Sequence, residues 1–504
     1  MHSFWWINAL LLIPLVATVV VGVFRHAPKR AYGLAVVAAG AELLLAIVVT
    51  VLYSWRNIDP LGHGASSFDF VHRAVLAPSL GVAYDVGLDG LSLLLVLLTA
   101  LVVFVALVGA KPEKATSSYA AWMLLLTTAT VGSFVSHDLL EFFLFFELTL
   151  IPSYFLIAHW GGADRARAAL KFFLYTLVGS GFLLVGLIYL GFAHSQQAGG
   201  AISFAYGALA QTVLPHGTAV WLFVAFAIAF AVKSPLWPFH TWSPLAYAEA
   251  PIGGSMVLSA LLAKLGTYGL LRFAVGLFPT ALSTVRPFVL TLAVIGILYG
   301  SALAAVSKDL KRLVAYSSLA QVGFIILGVM SGSQIATTGA VLLMFNHGVI
   351  TAGFFLIIGF LERRRGTSTI SDLAGLQGPA PVLAALFTVV MLASIGLPGL
   401  SGFVSEYLVL LGTFATHPWW SVVAALGVIL SALYLLWAYQ RVFHGVATGD
   451  NAEIADASHK ERWILVPIVV AILVLGVYPK VALDRVTPAV HELIVHVAPS
   501  GASR

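Results

Sequence analysis

Two lysines stand inside stretches that are otherwise apolar enough to cross a membrane. Lys233 lies in LFVAFAIAFAVKSPLWPF (222–239) and Lys264 in PIGGSMVLSALLAKLGTYGLLRF (251–273). A charge at bilayer depth costs from about 3 kcal/mol on insertion scales to more than ~10 kcal/mol in simulations, so such residues are usually functional or paired inside a bundle. Pro235 and Pro238 follow Lys233 at once and remove backbone donors, which breaks the helix where the charge sits. A broken helix beside a buried ionisable group is how ion and proton carriers build a midplane site. Lys264 stands near the middle of its segment, too deep to snorkel to the interface. Desolvation disfavours the charged form of an amine, and that is what would let such a lysine take up and release a proton.

Carboxylates accompany them. Glu147 lies in LLEFFLFFELTLIPSYFLI (139–157) and is the natural partner of Lys233, because a nearby ammonium holds a buried carboxylate ionised. A purely structural ion pair has less reason to sit at a helix break, since buried pairs are weak stabilisers. Glu406 follows a second break, LPGLSGFVSEY (397–407), where Pro398, Gly399 and Gly402 free backbone groups. It either exchanges protons there or caps the following half-helix. His240 and His347 are candidate relays of the type that titrates near neutral pH, with a hydrogen-bonded core histidine as the plain alternative. Glu42, at depth in the second segment, reads as a contact to a neighbouring helix or subunit. Lys311 and Arg312 read as ordinary interface anchors.

The elements that position these residues are helices. Of 504 residues, 60% are hydrophobic and only 9% charged, against about 25% in soluble domains. Fourteen apolar segments are expected, most matching the ~20 residues that cross the hydrocarbon core. The seventh (217–247) and twelfth (380–415) are too long for one span and carry Pro and Gly in the middle. Each is therefore read as two half-helices joined by irregular backbone. The breaks lie five segments apart, an odd offset, so segments four to eight (116–275) and nine to thirteen (286–443) are expected to form two inverted five-helix repeats. Residues 1–110 supply three helices before them, and 444–504 a loop, a last helix and a tail. The fold class is all-α and polytopic.

Most Lys and Arg fall in loops after odd-numbered segments, among them Arg25, Lys29 and Arg30, Lys308, Lys311 and Arg312, and Arg363, Arg364 and Arg365. By the positive-inside rule both termini face away from the cytoplasm. The first segment has its charges after the apolar run, unlike a secretory signal, and is read as a retained helix. The net charge of +5 is therefore topological and implies no nucleic acid. The chain has no cysteine, which excludes disulfides, thiolate-held zinc and iron–sulfur clusters.

The order of these residues (Glu in segment five, Lys at the break in seven, Lys in eight, Glu at the break in twelve) resembles the antiporter-like subunits of proton-pumping NADH–quinone oxidoreductase, complex I. The likeness is to the subunit M, or chain 4, family. It is carried by FFELTLIPSYFLIAHWGG, KSPLWPFHTW, AEAP, LLAKLGTYGLLRF, KDLKRLVAYSSLAQVGF, FNHGVITAGFF and LPGLSGFVSEY. It covers about 85–445 strongly and the flanks loosely. A glutamate at the second break, where the related L and N subunits carry lysine, favours M.

The resemblance implies that Glu147 tunes Lys233, that Lys264 is the central proton carrier, and that Glu406 serves the outward half-channel. His240 and His347 match polar positions of the hydrated axis. It further implies L- and N-type neighbours in a bacterial inner membrane. The complex as a whole would hold FMN, iron–sulfur clusters and quinone, with no cofactor or metal in this chain. Two departures remove titratable groups: Leu245 stands where the family often has an acid, and Gln321 where it often has a histidine. They point toward a divergent paralogue. The alternatives are a subunit of a Mrp-type cation/proton antiporter, with sodium coupling, the membrane subunit of an energy-converting hydrogenase, or a structural scaffold of the membrane arm.

Overall fold

The computed structural model describes residues 5–53 and 68–497. Arg56 and Arg504, which belong to the charge pattern, lie outside the described residues. Two long helices come first, α1 (Trp5–Val23) and α2 (Pro28–Leu52), the latter opened by a proline that lacks only a donor the first turn would leave unused. The inward stripe of α2 is Ala31, Ala35, Ala39, Glu42, Ala46 and Val49, a spacing of three and four that lets small residues seat the helix on its neighbours.

An antiparallel hairpin of β1 (Asp69–Ala77) and β2 (Val82–Leu88) follows. It was not expected from a sequence read as all-α, in which residues 1–110 were assigned three helices and no strand. The rest is helical: α3 (Leu93–Gly109), α4 (Thr116–Val135), α5 (Leu139–Trp160), α6 (Arg165–Gln197), α7 (His216–Lys233) and α8 (Ser243–Glu249). Then come α9 (Ile252–Val275), α10 (Leu282–Val306), α11 (Leu310–Met330), α12 (Gln334–Arg365), α13 (Pro381–Ile395) and α14 (Ser401–Thr416). The last are α15 (Pro418–Phe443), α16 (His459–Val477) and α17 (Lys480–Val497).

Eleven helices among the described residues are long and apolar enough to cross a membrane, or twelve if α16 and α17, bent by 71°, are one span. The count of fourteen is not reached on this measure, because α3 and α13 are shorter apolar helices. The tail expected after the last span is itself a helix: α17 is amphipathic, and its Ala482, Val486, Ala489, Val490 and Leu493 are buried.

Burial locates the core. The apolar windows of α9 and α12 are 100% buried and that of α11 94%, whereas α1 and α2 are at 28%. The outer helices leave apolar side chains for lipid, and α9, α11 and α12 form the centre, where Lys264, Gln321 and His347 stand.

Both long segments are broken where expected. Between α7 and α8, Pro235 and Pro238 donate nothing, and the freed carbonyls find other donors. Ser234 N and Oγ donate to Phe230 O, Leu236 N to Ala231 O, and the buried indole of Trp242 donates to Val232 O at 2.8 Å. Between α13 and α14, Gly396 and Gly399 take φ of +81° and +94°, a region L side chains avoid. A third irregularity was not expected. Residues 258–262 and 270–275 of α9 wind as π turns, a feature frequent at functional sites.

Candidate functional site

Lys233 closes α7 and is buried. Its ammonium donates to Thr149 Oγ1 at 2.8 Å and stands 4.5 Å from the centre of the Phe146 ring, a cation over the negative face of an aromatic. Thr149 in turn donates to Phe146 O at 2.7 Å, at the point where α5 is interrupted between Leu148 and Leu150. The cause is Pro152, which cannot donate to the carbonyl four residues earlier. Glu147, half-buried on the same turn, does not close an ion pair with Lys233. It lies near enough for the two charges to act on each other, and Ser180 of α6 faces its carboxylate. The expected pair is thus an electrostatic neighbour, with a threonine hydroxyl as the contact.

Lys264 is wholly buried on α9. Its ammonium donates to Ser259 O at 2.8 Å and shares a 2.7 Å hydrogen bond with His347 Nδ1 of α12. A lysine without an acidic partner on its own helix has found an imidazole on another. The π turn that contains Ser259 places this carbonyl within reach. The opposite nitrogen, His347 Nε2, is buried without a hydrogen-bond partner among the described residues.

Glu406 is buried on the second turn of α14. Gln321 of α11 donates to Glu406 Oε1 at 2.8 Å, so one departure from the family pattern touches one of the named carboxylates directly. An amide there can hold the carboxylate but cannot carry a proton on a titrating nitrogen.

Two central helices join these centres. On α12, Asn346 donates to Ser401 O at 2.8 Å and to Ser405 Oγ at 3.2 Å at the second break, while the adjacent His347 meets Lys264. On α11, Ser318 is 3.0 Å from Ser259 Oγ of α9, and Gln321, one turn on, reaches Glu406. Gly266 brings α9 onto the first break: a Cβ there would stand 2.5 Å from Phe230 O and 2.6 Å from Ser234 N.

His240 stands apart from this row. It is buried in the first break, packs edge-on to Tyr299, and leaves Nδ1 unpaired among the described residues. It borders a cavity of about 270 Å³ shared with Leu245, Tyr299, Arg312 and Tyr316. The second departure, Leu245, thus lines this cavity with an apolar surface. Lys311 is more than an anchor, since it forms a 2.8 Å ion pair with Glu362 of α12. Glu42 faces inward, and neither carboxylate oxygen has a hydrogen-bond partner among the described residues.

Several groups escaped sequence reasoning. Thr149 and Ser259 carry no charge to mark them. Arg272 reads as a basic residue at a segment end, yet it is buried and paired with Asp89. Asp85, Asp138 and Glu141 lie at the hairpin end of the bundle, where only the topology assembles them.

The profile of the NADH:quinone oxidoreductase/Mrp antiporter transmembrane family matches residues 136–433, the stretch holding Glu147, Lys233, Lys264 and Glu406. The chain belongs to this family. NADH-quinone oxidoreductase subunit M of Mycobacterium tuberculosis is 36% identical over 99% of this chain and 95% of its own length. Subunit M of Rhodobacter capsulatus is 39% identical over 90% and 89%. Among solved structures, a chain of respiratory complex I from Thermus thermophilus superposes with a TM-score of 0.87 at 34% identity, covering 98% of this chain and all of that one. A chain of the Mrp complex from Dietzia superposes at 0.80 with 21% identity, covering 97% and 99%, a likeness of fold alone.

Proposed function

We propose that this chain is a proton-carrying subunit of the membrane arm of an NADH–quinone oxidoreductase of the complex I type, with no redox centre of its own. The observation that carries the reading is Lys264, whose side-chain nitrogen has no surface exposure and is held by a carbonyl and an imidazole and, among the described residues, by no carboxylate. A lysine kept for structure would be expected to have a counter-charge. One that must give up its proton is better served by a neutral partner that can accept it.

Electron transfer in other subunits shifts charge along the arm. A change in the Glu147–Lys233 separation alters how well each tolerates its charge, and Thr149 gives the ammonium a second resting contact when the pair opens. Lys264 answers in the opposite sense, loading while Lys233 unloads, with His347 as its exchange partner. Release passes along α11 or α12 to Glu406. Moving one charge against 100 mV takes about 2.3 kcal/mol, and one pKa unit is worth about 1.4 kcal/mol, so a swing of a few units suffices. His240 and its cavity, beside Arg312, supply the entry side. The two repeats act as the two half-channels, neighbours are L- and N-type subunits, and the site is the bacterial cell membrane with both termini outside the cytoplasm.

The relatives named subunit M favour this reading over a cation/proton antiporter. Lys264→Ala or Lys233→Ala in assembled complex, with protons moved per electron as the readout, tests it. Pumping should fall to background, and wild-type stoichiometry in either variant would end the proposal.

A further inference from the structure

The face of α9 that carries Lys264 continues past it as a polar ladder leading away from Glu406. Tyr268, one turn on, donates its hydroxyl hydrogen to Phe134 O at 3.1 Å and accepts from Arg272 Nε at 3.4 Å. Arg272 is buried and ion-paired with Asp89, which has no exposed surface and whose Oδ1 also accepts from the backbone N–H groups of Leu91 and Ser92. The guanidinium is flanked by the rings of Phe68, Tyr206 and Tyr268.

Phe68 stacks on His137 with ring centres 3.5 Å apart, and His137 Nδ1 is 4.0 Å from Asp85 Oδ1. Asp85 N donates to Glu141 Oε2 at 3.1 Å, and the half-exposed Arg73 of β1 reaches Asp85 Oδ2 at 3.5 Å. Asp138 caps α5 through Oδ1. Asp138 Oδ2 and Glu141 Oε1 are buried and lack any hydrogen-bond partner among the described residues, although the two side chains are 1% and 7% exposed. Capping the helix and pinning the hairpin would use one oxygen of each acid. Buried polar atoms are normally satisfied, so the two spare oxygens call for a ligand, and the ligand that two clustered carboxyls take is a proton.

We propose that this chain holds a second outward proton route, running from Lys264 past Tyr268 and the Arg272–Asp89 pair to Asp85, Asp138 and Glu141 at the hairpin end of the bundle. It rests on the proton-carrier reading of Lys264. The Lys264 ammonium loses one proton and becomes an amine; a carboxylate of the rim acids gains it and becomes an acid. The Arg272–Asp89 pair is kept and positions the Tyr268 hydroxyl on the path. The proton passes by His137 to the rim acids and leaves beside Arg73, which returns the acid to a carboxylate. Burial pushes the His137 imidazole down to about 3, with Arg272 adding to the effect. It therefore stands neutral, with one nitrogen to donate and one to accept, a relay and not a store. Burial lifts Asp138 to about 6 against the pull of its two backbone donors, so it can hold a proton at the rim.

The test uses whole complex in sealed vesicles, with protons moved per electron as the readout. Asp85→Asn with Glu141→Gln should lower the ratio to about half or less, since a positioned proton carrier is worth about 10²-fold in rate and only the Glu406 route remains. Glu141→Asp should restore much of it, which a structural role for Glu141 would not predict. Wild-type stoichiometry in the double variant, with Glu406→Gln alone abolishing pumping, overturns the second route. If the double variant fails to assemble, Tyr268→Phe, which removes one hydroxyl and keeps the ring, decides the matter by the same criterion. Lys264→Ala separates the two ideas: if it pumps normally the underlying reading fails, whatever the rim variants do.

Discussion

The two helix breaks meet one requirement, backbone left irregular inside a membrane, with opposite means. Between α7 and α8 the break is made by prolines, and the group it holds is a cation. Lys233 stands in the last turn of α7, where the free carbonyl ends of a helix favour positive charge. The phenyl face of Phe146 and the hydroxyl of Thr149 add two more contacts of the same sign preference. Between α13 and α14 the break is made by two glycines at positive φ on either side of Pro398, and the group is a carboxyl near the N-terminal end of α14. Its hydrogen-bond partner, Gln321, is an amide that can present either a donor or an acceptor, and its Oε1 is unpaired among the described residues. The first break is therefore committed to its charge in three ways, the second in little more than one. That difference fits a first site that stores a proton against Glu147 and a second that only passes one on.

Reversing the charges should break the comparison most visibly. Lys233→Glu places a carboxylate against carbonyl ends and a ring face, at a cost of about 3–5 kcal/mol for an uncompensated buried charge. Membranes should contain little assembled complex on native gels. Glu406→Lys should assemble near the wild-type level, because Gln321 can turn its amide to accept. Equal loss in both would remove the asymmetry.

Thr149→Val tests the hydroxyl alone. A hydrogen bond to a charged group contributes about 1.5–3 kcal/mol, so the complex should assemble while protons moved per electron fall several-fold. A smaller effect is expected from Gly396→Ala. It forces a side chain to φ +81° with its Cβ 2.8 Å from Glu406 Oε2, and should lower thermal stability by about 1 kcal/mol or slightly more. Pumping should be retained, since the carboxylate itself remains.

The smallest change lies away from both breaks. Burial raises the Asp85 carboxyl above its ordinary range, and the Arg73 guanidinium pulls it back. His137, Asp138 and Glu141 are the other titratable groups facing it. Arg73→Gln removes the opposing pull, so Asp85 stays protonated to higher pH. The half-point of pumping against external pH should move up by less than about one unit.

Much of this site was legible in the residues. Lys233 with Pro235 and Pro238, Lys264 in mid-segment, and Glu406 after a Gly- and Pro-rich break are local signals, because a charge or a missing donor in an apolar run is anomalous wherever the helix goes. The long interrupted segments announced their half-helices for the same reason. Helix count was less legible, because length alone does not say whether a short apolar helix such as α3 spans. The hairpin at 69–88 and the amphipathic α17 were missed: both draw their burial from packing on the bundle and carry little apolar signal themselves.

The sequence by itself determined a membrane bundle with ionisable groups at depth and two breaks beside them, since bilayer solvation penalises each of those residues individually. Only the tertiary structure decided the partners. Thr149 and not Glu147 touches Lys233, His347 meets Lys264 from 83 residues away, Gln321 holds Glu406 from 85 away, and Asp89 reaches Arg272 across 183. A hydrogen bond depends on a few tenths of an ångström between side chains of different helices, and helix packing, π turns and close glycine contacts set that distance, none of which leaves a periodic trace along the chain.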